Sequence, residues 1–288
     1  MRKKSVLISY WHLMRFHKPI GTFLLLWPTL IALWIAGNGH PSSKNIIIFV
    51  LGVVLTRAAG CVINDIADRK FDGLVARTQA RPLVQGEVSV RPAIVLFLGL
   101  MLVAFCLVLQ TNLLTIMLSP IALALAAIYP FMKRITYWPQ LVLGFAFSWA
   151  IPMVFAAEQN QVPLVAWILF GATVCLTIAY DTFYALVDQP DDLKVGIKST
   201  AILFGLHHQR WIVIFQAVTL LLFGLAGYLV HLNWPFYVGL LLAGRLFLHQ
   251  HQTLARKESY FEAFLNHQWV GFVIFLGTMC GYSYLIDK

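Results

Sequence analysis

The sequence predicts an all-α, polytopic membrane protein of about nine transmembrane helices around a central cavity, on three observations. Of the 288 residues 60% are hydrophobic and only 11% are charged, and the mean hydropathy is +0.77, a balance foreign to soluble domains. Apolar stretches long enough to span a bilayer recur nine times along the chain. Lys and Arg collect in alternate connections between them, the bias that orients membrane spans. No Ser-rich linker, low-complexity tract or soluble insertion interrupts the pattern, so residues 1–288 read as one membrane domain.

The first stretch, 20–37, follows an arm that carries Arg2, Lys3, Lys4, Arg15 and Lys18. Its apolar run starts late, is long and lacks a small-residue cleavage pattern, so it reads as a retained helix rather than a signal peptide. The second stretch, 46–63, opens into a polar connection reaching residue 91 that holds Arg69, Lys70, Arg77, Arg81 and Arg91. A connection of that length and content is usually functional. The third and fourth stretches, 92–110 and 112–131, precede Lys133 and Arg134, and Pro120 and Pro130 interrupt the fourth. The fifth, 138–157, contains Pro152, as the first contains Pro28; such prolines kink helices and shape cavities or packing. The sixth, 164–187, runs into a second polar connection at 188–210 with Lys194, Lys198 and Arg210. The seventh and eighth, 211–231 and 232–250, precede Arg256 and Lys257. The ninth, 267–286, carries Gly277 and Gly281, a small-xxx-small pattern of ordinary helix packing.

The remaining connections hold Lys44 alone. The amino terminus is therefore expected in the cytoplasm and the carboxyl terminus on the far side. This topology accounts for most of the net charge of +9 without nucleic acid as a partner, and leaves some for anionic lipids or phosphates.

Seven of the twelve Asp and Glu residues fall in two clusters, 64–72 and 181–192, both predicted at the cytoplasmic face. Carboxylates beside a bilayer are costly unless something compensates them. Asn64, Asp68 and Asp72 are spaced by four, as are Tyr184, Asp188 and Asp192, and each trio lies 120 positions from its counterpart. Two parallel four-helix repeats with a ninth helix appended would explain that interval and would place a site between the halves. On a helix the spacing stacks three oxygen donors along one face with about 6 Å of rise per step. Oxygen donors with few carboxylates per ion suit magnesium, which completes its shell with water and substrate phosphate. The expected ligand is therefore magnesium carrying a diphosphate, with Asp65 and Asp191 beside the rows. Pro190 is expected to end one helix near Asp188 and to start another.

The plain reading of either cluster is a solvated helix end with mutual ion pairs, and two matching clusters weigh against it. Asp181 lies deeper and serves equally as a hydrogen-bond partner for a neighbouring helix. His207, His208, His249 and His251 lack the spacing that would place them on one helical face, so they read as surface or interface histidines. The four cysteines stand singly within apolar stretches and read as small packing residues. The run Asp72 to Arg77 opens like the motif of CDP-alcohol phosphotransferases, but Val90 stands where a later aspartate belongs.

The run Asn64 to Asp72, followed by Gly73 to Thr78 and by Arg81-Pro82-Leu83, resembles the first signature of the UbiA superfamily of intramembrane prenyltransferases. Tyr180 to Asp188 and Asp191 to Gly205 resemble the second, and Arg15 to Thr22 and Phe261 to Gly271 extend the likeness over nearly the whole chain. Gln189-Pro190 departs from the charged pair usual after the second-motif aspartate. Within the superfamily the likeness is to the bacterial members that prenylate 4-hydroxybenzoate. It implies nine helices around a cavity open laterally to lipid, and an inner-membrane enzyme of ubiquinone synthesis using polyprenyl diphosphate and 4-hydroxybenzoate. It further implies that Asn64, Asp68, Asp72, Asp188 and Asp192 hold two magnesium ions, supported by Asp65 and Asp191.

On this expectation Arg77 and Lys194, with Arg81 and Lys198, take up diphosphate charge beside Tyr184. Asp188 polarises the phenol or accepts a proton, and Arg15 or Arg134 holds the benzoate carboxylate. Prenylation of homogentisate, dihydroxynaphthoate or haem B is the nearest alternative. A secondary transporter is the rival from another class, and it would place coupling carboxylates near the midplane rather than at helix ends.

Overall fold

Twelve helices and one 3-10 turn, with no strand, make up the residues described by the computed structural model, 5–73, 78–254 and 258–286. A short helix α1 (Val6–Leu13) precedes α2 (Ile20–Ala36) and the 30-residue α3 (Ser43–Asp72). Next come α4 (Val90–Val108) and α5 (Leu113–Ile135). A broken pair, α6 (Pro139–Ser148) and α7 (Ala150–Gln159), leads to the 32-residue α8 (Leu164–Val195). The short α9 (Thr200–Phe204) and a 3-10 turn at Gly205–His207 feed α10 (His208–Leu229), followed by α11 (Trp234–Thr253) and α12 (Glu258–Ile286).

Among the described residues seven helical stretches are long and apolar enough to cross a membrane. The other two of the nine expected spans are helical as well, but Ile20–Ala36 is shorter, at 17 residues, and Trp234–Thr253 falls outside that set. Helix bounds repeat at roughly the expected interval: α2 corresponds to the α6–α7 pair, α3 to α8, α4 to α10 and α5 to α11.

Local chemistry explains the breaks. Pro152 has no N–H for the Ser148 carbonyl, so the hydrogen-bond ladder is interrupted between α6 and α7, although Trp149 keeps right-handed helical angles and bonds the Phe145 carbonyl at 3.0 Å. The Asn112 side chain caps α5 by accepting from the Thr115 N–H at 3.0 Å. The expected restart at Pro190 does not occur, since α8 runs unbroken from Leu164 to Val195. One missing donor weighs little in so long a helix, and Pro190 lies on its exposed face. The helix ends instead at Gly196, whose φ of 73° is the left-handed conformation that lets Ile197 N–H reach the Asp192 carbonyl at 3.0 Å.

Helix α8 is the interior element, packed by α6, α10 and α12. Over half of its most apolar window is buried, 56%, against 11% for α4 and for α5. The latter two therefore form the lipid-facing flank. α11 and α12 cross closely enough that a Cβ on Gly277 would lie 3.2 Å from the Gly239 Cα and the Phe236 carbonyl. Gly277 is thus a packing residue, as its pattern implied. The four cysteines are free. His208 bonds Tyr260 and His251 bonds Gln216, the interface role expected of them.

Candidate active site

A cavity of about 780 Å³ runs through the bundle, lined by residues of α2 to α8 and α12. Along α3 its wall extends from Ile48 to Asp65, about 25 Å at the helical rise. Most of that length is apolar, with Leu24, Phe49, Leu107, Phe147 and Phe264 among the lining. Phe105 of α4 and Leu123 of α5 line it too, yet are 43% and 46% exposed. They mark the α4–α5 side as the place where the lateral opening that the resemblance implies would lie.

The polar end gathers His12, Arg15, His17, Lys18, Asn64, Asp65 and Arg81. His12 and His17 stack with ring centroids 4.3 Å apart. Burial, then the neighbouring His12, Lys18 and Arg15, hold the His17 imidazole below its usual pKa. Anions are the natural guests of such a mouth.

Beyond it, the first acid row is buried and already neutralised. Asp65 accepts from Arg15 Nη2 at 2.8 and 3.0 Å and lies 3.0 Å from Arg81 Nη1. Arg81 also reaches Asp72 Oδ2 at 2.5 Å. Lys133, in the last turn of α5, donates to Asp68 Oδ2 at 2.5 Å, and Arg134 donates to the Ala67 carbonyl and lies 3.7 Å from Asp68 Oδ1. Arg15 adopts a φ of 60°, rare for a residue with a side chain, where the chain turns from α1 toward this row.

The second row lies at the end of α8. Asp188 and Asp192 are half-buried, and Asp191 pairs with the exposed Lys194 at 3.0 Å. Lys198 donates from its side chain to the Ile135 carbonyl at 3.1 Å and from its backbone to the Lys133 carbonyl at 2.8 Å. Lys133 thus touches Asp68 with its side chain and the segment after α8 with its backbone, so both rows occupy one end of the bundle. Tyr184 and Asp181 line the cavity, and Tyr184 packs on Phe264 with centroids 4.7 Å apart. Asp68, Asp72, Asp188, Asp191 and Asp192 lie outside the cavity lining. Arg77 lies outside the described residues.

Two site residues escaped the sequence reading. Arg57 projects from α3 into the cavity, beside Tyr129, Tyr180 and Tyr184. It passes so close over Gly21 that any Cβ there would collide with its guanidinium. A lone arginine inside an apolar stretch is a functional signal in its own right. Lys133 carries no signal in the sequence beyond that of a topology charge.

The donor set fits a hard dication, since the rows offer oxygen alone. Asp68 Oδ1 is buried without a hydrogen-bond partner, an oxygen left over once Lys133 has taken its twin. Among the described residues no three His, Cys, Asp or Glu side chains form a ready metal cage. Magnesium does not require one, because it keeps waters and shares substrate phosphate oxygens.

The sequence profile of the UbiA prenyltransferase family matches residues 25–267. The chain belongs to the UbiA prenyltransferase family. It is 55% identical over 276 residues to the 4-hydroxybenzoate octaprenyltransferase of Yersinia pseudotuberculosis, covering 95% of this chain and 96% of that protein. The apo structure of a UbiA homolog from Aeropyrum pernix K1 superposes with a TM-score of 0.78 at 25% identity, over 91% of this chain and 97% of the other. A UbiA homolog from Archaeoglobus fulgidus, solved bound to GPP and Mg2+, shares the fold with a TM-score of 0.69 at 17% identity, over 97% and 100% of the two chains. The all-helical, membrane-embedded architecture is that of this prenyltransferase family.

Proposed function

We propose that the chain transfers a polyprenyl group from polyprenyl diphosphate to the ring of 4-hydroxybenzoate, ortho to the hydroxyl, in ubiquinone biosynthesis. In this reading residues 1–288 form one domain in the bacterial inner membrane, with the amino terminus and both acid rows facing the cytoplasm. The observation that carries it is the long apolar cavity ending in carboxylates and cations. A prenyl chain needs the first and a diphosphate the second. The activity of the Yersinia relative supports the acceptor and an octaprenyl donor.

Asn64, Asp68, Asp72, Asp188 and Asp192 would hold magnesium, which when bound neutralises charge on the departing diphosphate. In this reading Arg77, Lys194 and Lys198 take up charge on that group. Asp65 and Asp191 anchor neighbouring cations: Asp65 fixes Arg15 and Arg81, and Asp191 fixes Lys194. With Arg15 and Arg134 engaged at the first row, Arg57 is the cation placed to receive the benzoate carboxylate inside the cavity. Tyr184 and Tyr180 flank the ring. The allylic carbon–oxygen bond breaks with its electron pair leaving on diphosphate, the ring carbon bonds to the allylic carbon, and the ring proton passes to a carboxylate of α8. Asp188, the sequence candidate for that role, lies two turns from Asp181 on the same helical face but outside the lining, so Asp181 is the α8 carboxylate placed to meet the ring in the cavity. The apolar wall keeps water from the reactive carbon.

Membranes containing the protein, given magnesium, polyprenyl diphosphate and a panel of aromatic acceptors, should yield prenylated 4-hydroxybenzoate by mass spectrometry. Prenylated homogentisate, dihydroxynaphthoate or haem B in its place would overturn the acceptor.

A further inference from the structure

A shallow, largely open depression lies at the outer surface between α1 and the start of α4. It is lined by Tyr10, Arg91, Pro92, Val95 and Leu96. Three of these are apolar, one is a phenol and one is a cation. Arg91 is exposed, and among the described residues no carboxylate pairs with it.

Arg91 also heads a stripe. Val95, Leu98 and Leu102 follow it at four, seven and eleven positions, so they share one face of α4. They are 68%, 58% and 63% exposed. A helix in water would not present that face, whereas a helix in a bilayer presents it to acyl chains.

Helix α1 sets the depth of the groove. Ser9 and Leu13 are buried, Ser9 donating to Glu87 at 3.0 Å and Leu13 packing with Val62, Leu83, Val88 and Ala93. On the outer side Leu7 is 79% and Trp11 51% exposed, one turn apart. An outward apolar face after Arg2, Lys3 and Lys4, with Trp11 and Tyr10 beside it, is the pattern of a helix lying in the headgroup layer. The groove therefore sits where lipid phosphates sit.

We propose that this groove binds an anionic phospholipid, with the phosphate on Arg91, a hydrogen bond from the Tyr10 hydroxyl, and one acyl chain along Val95, Leu98 and Leu102. The bound lipid ties α1 to α4. Because α1 leads directly to Arg15 and its pair with Asp65, the lipid also steadies the cation that holds the first acid row.

The test uses the purified full-length protein in neutral detergent. Its thermal midpoint is followed while dioleoylphosphatidylglycerol, dioleoylphosphatidylcholine or inorganic phosphate is titrated in. Phosphatidylglycerol should raise the midpoint beyond the phosphatidylcholine effect, and phosphate alone should not. R91Q should weaken the apparent phosphatidylglycerol affinity about fivefold, the factor for one juxtamembrane cation. R91K should recover most of it, and R210Q, which removes an exposed cation elsewhere, should match the wild type. Equal effects of the two lipids, equal losses in R91Q and R210Q, or full stabilisation by phosphate would each overturn the site. If R91Q does not fold, native mass spectrometry of the wild type decides: retention of phosphatidylglycerol where phosphatidylcholine is stripped supports the groove, and equal retention refutes it.

Discussion

Lys133 Nζ lies 2.5 Å from Asp68 Oδ2, so the last turn of α5 lends a cation to the acid row of α3 before any ligand arrives. On the proposed assignment of Asp68 to magnesium, an incoming ion would compete with that ammonium for the same carboxylate, and the competition can be measured.

K133M leaves Asp68, only 1% exposed, with Arg134 at 3.7 Å as its remaining ion-pair partner among the described residues. Without metal the variant should lose up to about 3 kcal/mol of stability, the scale for uncovering one side of a buried pair. Added magnesium should then raise its thermal midpoint more than it raises the wild type's, because the competing ammonium is gone. Melts in detergent with and without magnesium check this; a smaller magnesium shift in K133M would count against it.

D68N keeps the shape of the side chain and removes its charge. Turnover should fall at least about a hundredfold, the scale for losing one preorganised electrostatic contact. Product formation in membranes, read beside the melting curve, separates lost chemistry from lost fold.

R57Q should raise KM for 4-hydroxybenzoate about tenfold or more, the scale of a hydrogen bond to a charged group. KM for the prenyl diphosphate should hardly change. G21A should act in the same direction with a smaller effect, because its methyl displaces the Arg57 guanidinium. Initial rates with each substrate varied in turn distinguish the two.

Ala122 lines the cavity on α5, eleven positions before Lys133 and so about 16 Å from the acid end. A122W should block the far part of the cavity. Long polyprenyl donors should then be lost while geranyl diphosphate still reacts, as a donor series analysed by mass spectrometry would reveal.

G239V drives its side chain toward the Val273 carbonyl, where even a Cβ would lie at 2.7 Å. Since backbone cannot yield cheaply, stability should fall by about 1–3 kcal/mol. Gly99 has open space around it, so G99A should melt like the wild type.

The helices and acid rows were legible because each has a local signature: unbroken apolar length for the spans, four-residue spacing for Asn64, Asp68 and Asp72. Arg57 was not, because one cation barely alters the hydropathy of a long apolar window. Lys133 was hidden for another reason. Its partner is 65 positions away, and a charge at a helix end looks the same whether it faces water or a carboxylate. Arg15 and Arg81 read as substrate-binding in the sequence, and their pairing with Asp65 and Asp72 has no local signature there, since buried acids recruit counter-charge from distant segments. Pro190 followed its local rule less than its context, as the packed length of α8 carried the helix through.

A lateral opening on the α4–α5 side, where Phe105 and Leu123 line the cavity, would let greasy molecules come and go without a passage through water. Supply of donor and removal of product are then set by diffusion in two dimensions, and the enzyme's effective concentration is that of its leaflet. Detergent tails small enough to slip through the same slit should behave as competitors of the prenyl donor, so rates measured in micelles will understate those in the native bilayer.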